Sequence, residues 1–312
     1  MEREEILKKI ESKYQDLGIP VDTMLEGLLY SKPMVYWDYI QTDALLGLQT
    51  QRTTLPDEMI FIMYHQVNEL LFKMILLEIK QVAKSESLDV EVFTKHLMRI
   101  SRYFDMLSSS FDIMGDGMDK EQYMKFRNTL APASGFQSAQ YRMIEFASTE
   151  LINLIDVRFR STIDRDTPFE HAYEHLYWQA AGKNYNTGQK SILLDKFEKK
   201  YMGDFIDFMK DYNTTNISMK FKSLPDSVRN NIDLVNTMRH YDYTVNVKWV
   251  MSHYKAAAKY IGGGAATGGS DWTKYMLPKY QKRIFYPDLW SDEEKENWGV
   301  TNLESYKILT EV

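Results

Sequence analysis

Two of the six histidines stand in company that suits chemistry. His65 lies in Phe61-Ile62-Met63-Tyr64-His65-Gln66, and Phe61 precedes it by one helical turn, so an aromatic ring and an imidazole share a face. Such a pair suits a planar, apolar ligand with one polar edge. A core histidine satisfied by a neighbour gives the same pattern. His253 follows Trp249 by one turn and precedes Gly262-Gly263-Gly264-Ala265-Ala266-Thr267-Gly268-Gly269-Ser270. A glycine loop after a helix can bring backbone N–H groups toward an anion or a carbonyl, and a mobile surface loop has the same composition. It is not a nucleotide motif, because no strand precedes it and neither GxGxxG nor a P-loop pattern is present.

The stretch from Phe126 to Arg142 crowds Arg127, Ser134, Gly135 and aromatic residues around one helix start. Arginine offers a planar fork to a carboxylate, and a helix N-terminus adds backbone donors. An amino-acid or organic-acid carboxylate is the ligand this suggests; a capped helix with a surface arginine is the plainer reading. His171-Ala172-Tyr173-Glu174-His175 fits the HxxEH spacing of a zinc peptidase class, with both imidazoles on one helix face. Five-residue patterns arise by chance, and this one sits in a polar stretch.

Long helices must position these groups. Apolar spacing of three and four residues recurs almost throughout, and sustained two-residue alternation is missing, which predicts an all-α protein. A first helix is expected from Glu4 to Leu17, stopped by Gly18-Ile19-Pro20, with a charged face suited to packing outside its own domain. The most apolar helix spans Pro56 to Ala83, with Pro56 in the first turn and Asp57 and Glu58 favouring the helix dipole. Further helices are expected over Leu88–Met114 and Phe136–Asp156, and a long helical stretch from Pro225 to Ile261. Residues 161–224 read as a small inserted helical subdomain, 56–160 and 225–312 as the core, and 1–55 as N-terminal helices.

Composition narrows the partners. The 312 residues are 44% hydrophobic and 26% charged, with 18 Met and 21 Tyr but only 15 Gly and 8 Pro, which favours long elements over turns. Net charge is −6 without basic clusters, so no footprint for nucleic acid or anionic lipid is visible and a small molecule is expected. With no cysteine, thiolate ligation and iron–sulfur chemistry are excluded, and His, Asp and Glu remain as strong metal ligands. No signal-like start and no run approaching about 18 apolar residues is apparent, so the cytoplasm is the expected compartment.

Four ordered segments together resemble the haem-dependent tryptophan 2,3-dioxygenases. They are Tyr36-Trp37-Asp38-Tyr39-Ile40 with Asp43-Ala44-Leu45-Leu46; Asp57 through Gln66 with Glu69, Leu70 and Lys73; Phe126 to Arg142; and Trp249 through His253 to Gly262 with Thr267-Gly268-Gly269-Ser270. The resemblance implies a helical core holding haem b, one per subunit, with His253 as the axial iron ligand and Ser134, Gly135 and Trp249 along the haem pocket. It implies His65 as the distal residue that accepts from the indole N–H, Phe61 packed on the indole, Arg127 on the substrate carboxylate, Tyr123 in the pocket, and Thr267 near carboxylate and ammonium. Tyr36, Tyr39 and Ile40 match a segment that completes a neighbouring subunit's pocket in a homotetramer, a dimer of dimers. The implied reaction cleaves the indole C2–C3 bond of L-tryptophan with O2, giving N-formyl-L-kynurenine, the first step of the kynurenine pathway. Departures fall at Ala266, Asp271 and Trp272 in the glycine loop, and at Leu71, Pro56, Ala139 and Lys259. The altered loop motivates two alternatives: a related haem oxygenase acting on a substituted tryptophan or other indole, and a non-catalytic haem or indole sensor.

Overall fold

The structure is a computed structural model that describes residues 1–86, 89–130, 137–261 and 277–300. It is helical as the periodicity predicts, with no strand among the described residues beyond two isolated bridges, Ile155 to Leu176 and Lys183 to Lys190. The chain divides into two compact units, Met1–Gln49 and Thr50–Val312.

The first unit holds α1 (Arg3–Asp16), α2 (Val21–Tyr30), α3 (Tyr36–Ile40) and α4 (Thr42–Leu46), and none of the four buries a residue. Gly18 and Gln41, both at positive φ, turn the chain between them. Leu28, Leu29, Tyr30, Met34, Tyr36, Trp37 and Tyr39 are exposed, an apolar set of the kind that marks an interaction surface.

The second unit is built on α5 (Pro56–Lys84), α6 (Val90–Ser109), α7 (Phe111–Gly115), α8 (Lys120–Leu130) and α9 (Ala139–Ser148). Along α6, Phe93, Leu97, Ile100, Phe104 and Leu107 are fully buried at spacings of four and three, one stripe of a helix facing the core. Each such side chain contributes about 1.5–3 kcal/mol of burial. They meet Phe72, Ile75, Ile79 and Val82 of α5 in the main core cluster. By length and composition α5 could cross a bilayer, an exception to the sequence reading that no run approaches a span. It also buries Glu58, Asn68 and Glu78, and packs against α6 and α9.

Two expected helices are shorter than predicted. The Leu88–Met114 helix breaks at Ser110, where Ser109 and Ser110 hydroxyls donate back to the carbonyls of Met106 and Leu107, competing with the helical ladder. The Phe136–Asp156 helix is capped by Ser138, whose hydroxyl accepts from the Tyr141 amide, and stops at extended Thr149. A 3₁₀ turn, Leu151–Leu154, comes next.

From the stretch read as an inserted subdomain come α10 (Phe169–Tyr173), α11 (Ile192–Tyr212) and α12 (Ile217–Lys222). Their Tyr173, Phe197, Phe205 and Phe221 share the core cluster with Phe72 and Phe104. After α13 (Asp226–Arg229), the stretch to Ile261 is α14 (Ile232–Tyr243), a π-helical turn at Thr244–Lys248, and α15 (Trp249–Ile261). Residues 283–298 lie over this helix and bury Phe285, Tyr286, Trp290 and Trp298.

Candidate active site

A second, smaller aromatic cluster lies beside the main core. It joins Tyr64 of α5, Phe111 and Met114 of α7, Met118, Phe126 of α8, and Ala256 and Tyr260 of α15, with Phe61, Tyr123 and Trp249 packed around them. Four helices, α5, α7, α8 and α15, therefore converge where the sequence-predicted side chains stand.

Phe61 and His65 share one turn of α5, their ring centroids 4.1 Å apart. The His65 Nδ1–H donates to the Phe61 carbonyl at 2.7 Å. Because a carbonyl can only accept, the proton sits on Nδ1 and Nε2 carries a free lone pair. His65 is reached by water, yet burial lowers its pKa, opposed by the Phe61 carbonyl and the Glu69 charge.

His253 is half-buried on α15 and is pushed down to about 4, first by burial and then by the charge of His65. The two imidazoles thus sense each other electrostatically, and both are neutral near pH 7. The Phe111 ring stacks on His253 at 5.2 Å, and Trp249 stands 6.2 Å away. Along α15, Trp249, His253, Ala256 and Tyr260 recur at spacings of four, three and four, one stripe of the helix.

Tyr123 and Arg127 sit one turn apart on α8, both half-buried. The Tyr123 ring lies 6.3 Å from Phe61 and 4.7 Å from Tyr260, bridging α5, α8 and α15. Burial raises the Tyr123 pKa while the Arg127 charge lowers it, so the phenol and the guanidinium are near neighbours. The start of α8 is tied to α5: Asp57 accepts from the Asp119 amide at 2.6 Å, and Gln122 accepts from the Asp57 amide at 3.2 Å. Glu58 accepts from the amides of Arg52 and Thr53, and Arg52 reaches the Thr129 carbonyl at the other end of α8. These bonds fix the position of Arg127 relative to His65.

The structure thus brings Phe61, His65, Tyr123, Arg127, Trp249 and His253 to one locus. Ser134, Gly135 and Thr267 lie outside the described residues. Tyr36, Tyr39 and Ile40 lie in the first unit and are exposed. Sequence reasoning missed Phe111 and Tyr260. Tyr260 was available as the next member of the Trp249–His253 stripe, whereas Phe111 reaches His253 only through the α7–α15 packing.

The zinc motif is not borne out. Helix α10 ends at Tyr173, within the motif; the His171 and His175 rings stand 5.1 Å apart, and Nδ1 of His175 donates to the His171 carbonyl. Glu174 is held by Lys183 and Lys190 at 2.5 and 3.1 Å. Among the described residues no three His, Asp or Glu side chains cluster as metal ligands.

The His253 environment bears on haem. A metal that brings its own ring of donors needs one neutral axial nitrogen and apolar walls. A neutral His253 imidazole beside Phe111, Trp249, Ala256 and Tyr260 meets both requirements. The residues present fit the group.

The sequence model of the family described as tryptophan 2,3-dioxygenase matches residues 27–177. The chain is 27% identical to the tryptophan 2,3-dioxygenase of Bacillus anthracis, over 93% of this chain and 100% of that one. It is 27% identical to that of Ruegeria pomeroyi, over 86% and 96%, and 25% identical to that of Bradyrhizobium diazoefficiens, over 84% and 92%. With this sequence likeness along nearly the whole chain and an all-helical fold around the expected side chains, the chain belongs to the tryptophan 2,3-dioxygenase family.

Proposed function

We propose that this protein is a haem-dependent dioxygenase that cleaves the indole C2–C3 bond of L-tryptophan with O2 to give N-formyl-L-kynurenine. The observation that carries this reading is the fixed tautomer of His65. With Nδ1–H bonded to Phe61, Nε2 is an acceptor, and the indole N–H is a donor of matching kind. An imidazole lowered in pKa stays neutral and keeps that lone pair at physiological pH.

His253, with Trp249, Ser134 and Gly135, would hold haem b, one per subunit, and the haem when bound supplies the redox chemistry that activates O2. The side chains supply the rest. Phe61 packs on the indole face, Arg127 clamps the carboxylate with a planar fork, and Thr267 serves the carboxylate and ammonium end. Tyr123, wedged between Phe61 and Tyr260, closes the wall beside Arg127 and excludes water. Holding the indole and the carboxylate at once orients the C2–C3 bond, which is the positioning this reaction needs.

The exposed Tyr36, Tyr39 and Ile40 support a homotetramer, a dimer of dimers, in which this segment completes a neighbour's pocket. The cytoplasm is the proposed compartment.

The test is an anaerobic spectrum of the haem-loaded, dithionite-reduced protein, then addition of L-tryptophan and air. A five-coordinate ferrous spectrum, and N-formylkynurenine once air is admitted, are expected. Haem without that product overturns the substrate assignment, and failure to bind haem overturns the whole reading.

A further inference from the structure

The helix that carries His253 does not run straight from α14. Between them the π-helical turn Thr244–Lys248 inserts an extra residue, and Thr244, Val245, Asn246 and Val247 are all buried. Such turns are rare, are costly in hydrogen-bond geometry and are found mostly at functional sites. One extra residue rotates everything after it by about 100° relative to a continuous α-helix. In this chain the rotated segment is α15, with its Trp249–His253–Ala256–Tyr260 stripe.

A polar network fastens that turn from two sides. Asp242, fully buried, accepts from the amides of Phe285 and Tyr286 at 2.8 and 2.9 Å, from Trp290 Nε1 at 3.0 Å and from Asn246 Nδ2 at 2.6 Å. Oδ1 of Asn246 in turn accepts from Nε of Arg283. Arg283 continues to Glu145 at 2.7 Å and to the Tyr141 hydroxyl at 3.0 Å. The Tyr141 ring packs 4.7 Å from Trp249, one turn before His253. The extra residue is therefore held at its base by Asp242 and Asn246, and the first turn of α15 by Arg283 through Tyr141. A purely apolar clamp could bury the same surface; it could not fix which backbone turn carries the extra residue.

We propose that Asp242 is a positioning residue for His253, acting through Asn246 and Arg283 to lock the π turn that sets the rotation of the helix presenting the imidazole. The proposal rests on the reading of His253 as the axial ligand.

The experiment compares the wild-type holoprotein with Asp242→Asn, Arg283→Lys and, as a control, Leu234→Ala, which removes a fully buried side chain of α14 outside the network. Two quantities are read: the iron–imidazole stretching band of the ferrous protein by resonance Raman, and the rate of haem transfer to apomyoglobin. Asp242→Asn places an amide N–H against donors, so a shifted or split band and at least tenfold faster haem loss are expected. Arg283→Lys keeps a cation beside Glu145 but loses the bond to Asn246, and should move both readings the same way by less. Leu234→Ala should lower Tm and leave the band in place. An unmoved band in Asp242→Asn, or in Arg283→Lys if the former does not fold, overturns the proposal, as does an equal shift in Leu234→Ala. A band that survives His253→Ala is a separate outcome, which removes the axial reading itself.

Discussion

Nδ1 of His65 donates to the Phe61 carbonyl at 2.7 Å while the two rings stand 4.1 Å apart and tilted by 37°. One turn of α5 thus fixes both a flat wall and the direction of a lone pair. Neither depends on a side chain from elsewhere in the chain, so this half of the site is preformed by local geometry.

Replacing His65 by Ala should leave haem bound and remove the acceptor for the indole N–H. A buried donor left unpaired costs about 1–3 kcal/mol, so kcat/KM for tryptophan should fall roughly 5- to 150-fold. The analogue methylated at the indole nitrogen, which has no N–H, should lose far less. Steady-state kinetics with both substrates decide it; equal losses would mean that His65 does not read the N–H.

His253→Ala should purify without haem, because the chain has no cysteine to take over the axial bond and His65, the other histidine of the site, stands on α5 and not on the helix that presents His253. The check is the ratio of haem to protein absorbance after loading. A full spectrum would assign the axial bond to another residue.

Arg127→Ala should act on binding. Loss of a charge-assisted pair of about 1.5–3 kcal/mol raises KM about 10- to 150-fold with a smaller change in kcat. An unchanged KM would remove the carboxylate clamp.

If Tyr36 and Tyr39 serve a neighbouring subunit, two inactive chains should repair each other. Co-expression of a Tyr36→Ala, Tyr39→Ala double variant with Arg127→Ala should restore pockets that combine an intact clamp with an intact N-terminal segment. Activity above the sum of the separate variants is expected; simple additivity would place the segment on its own subunit or nowhere near the pocket.

Two desolvated groups should give the haem-free protein an unusual pH profile. His253 is pushed down from 6.5 to about 4, so its contribution to stability is complete above pH 6.5 and is lost as pH falls to about 4. Asp242 is pushed up from 3.8 to about 6 by burial, so its contribution is complete below pH 3.8 and is lost as pH rises to about 6. Between pH 4 and 6 the two slopes oppose. Asp242→Asn removes one of them, and its stability should therefore rise more steeply with pH than the wild type's across that window. Urea unfolding at stepped pH measures this, and parallel curves would count against the buried carboxylate.

Periodicity and caps made much of this legible from residues alone. The apolar run of α5, its proline start and the Phe61–His65 turn are local, and local patterns survive folding. The breaks at Ser110 and Thr149 were not legible, because they depend on hydroxyls choosing carbonyls over water. Nor could the HxxEH spacing reveal that its helix stops at Tyr173, within the motif. The π turn is the hardest case: its cause lies in Phe285, Tyr286 and Trp290, which are more than 40 residues from Asp242. The carbonyls and amides that decide such features carry no side-chain signature.

The spacing of the site along the chain also sets the order in which it can be assembled. Helices α5 and α6 are joined by only a few residues, so their shared core closes a short loop and can form early in synthesis. His65 and His253 are 188 positions apart, and Asp242 gains its amide partners only when Phe285 and Tyr286 have been made. The Phe61–His65 turn can therefore form before the helix that carries His253 has the partners that hold its π turn.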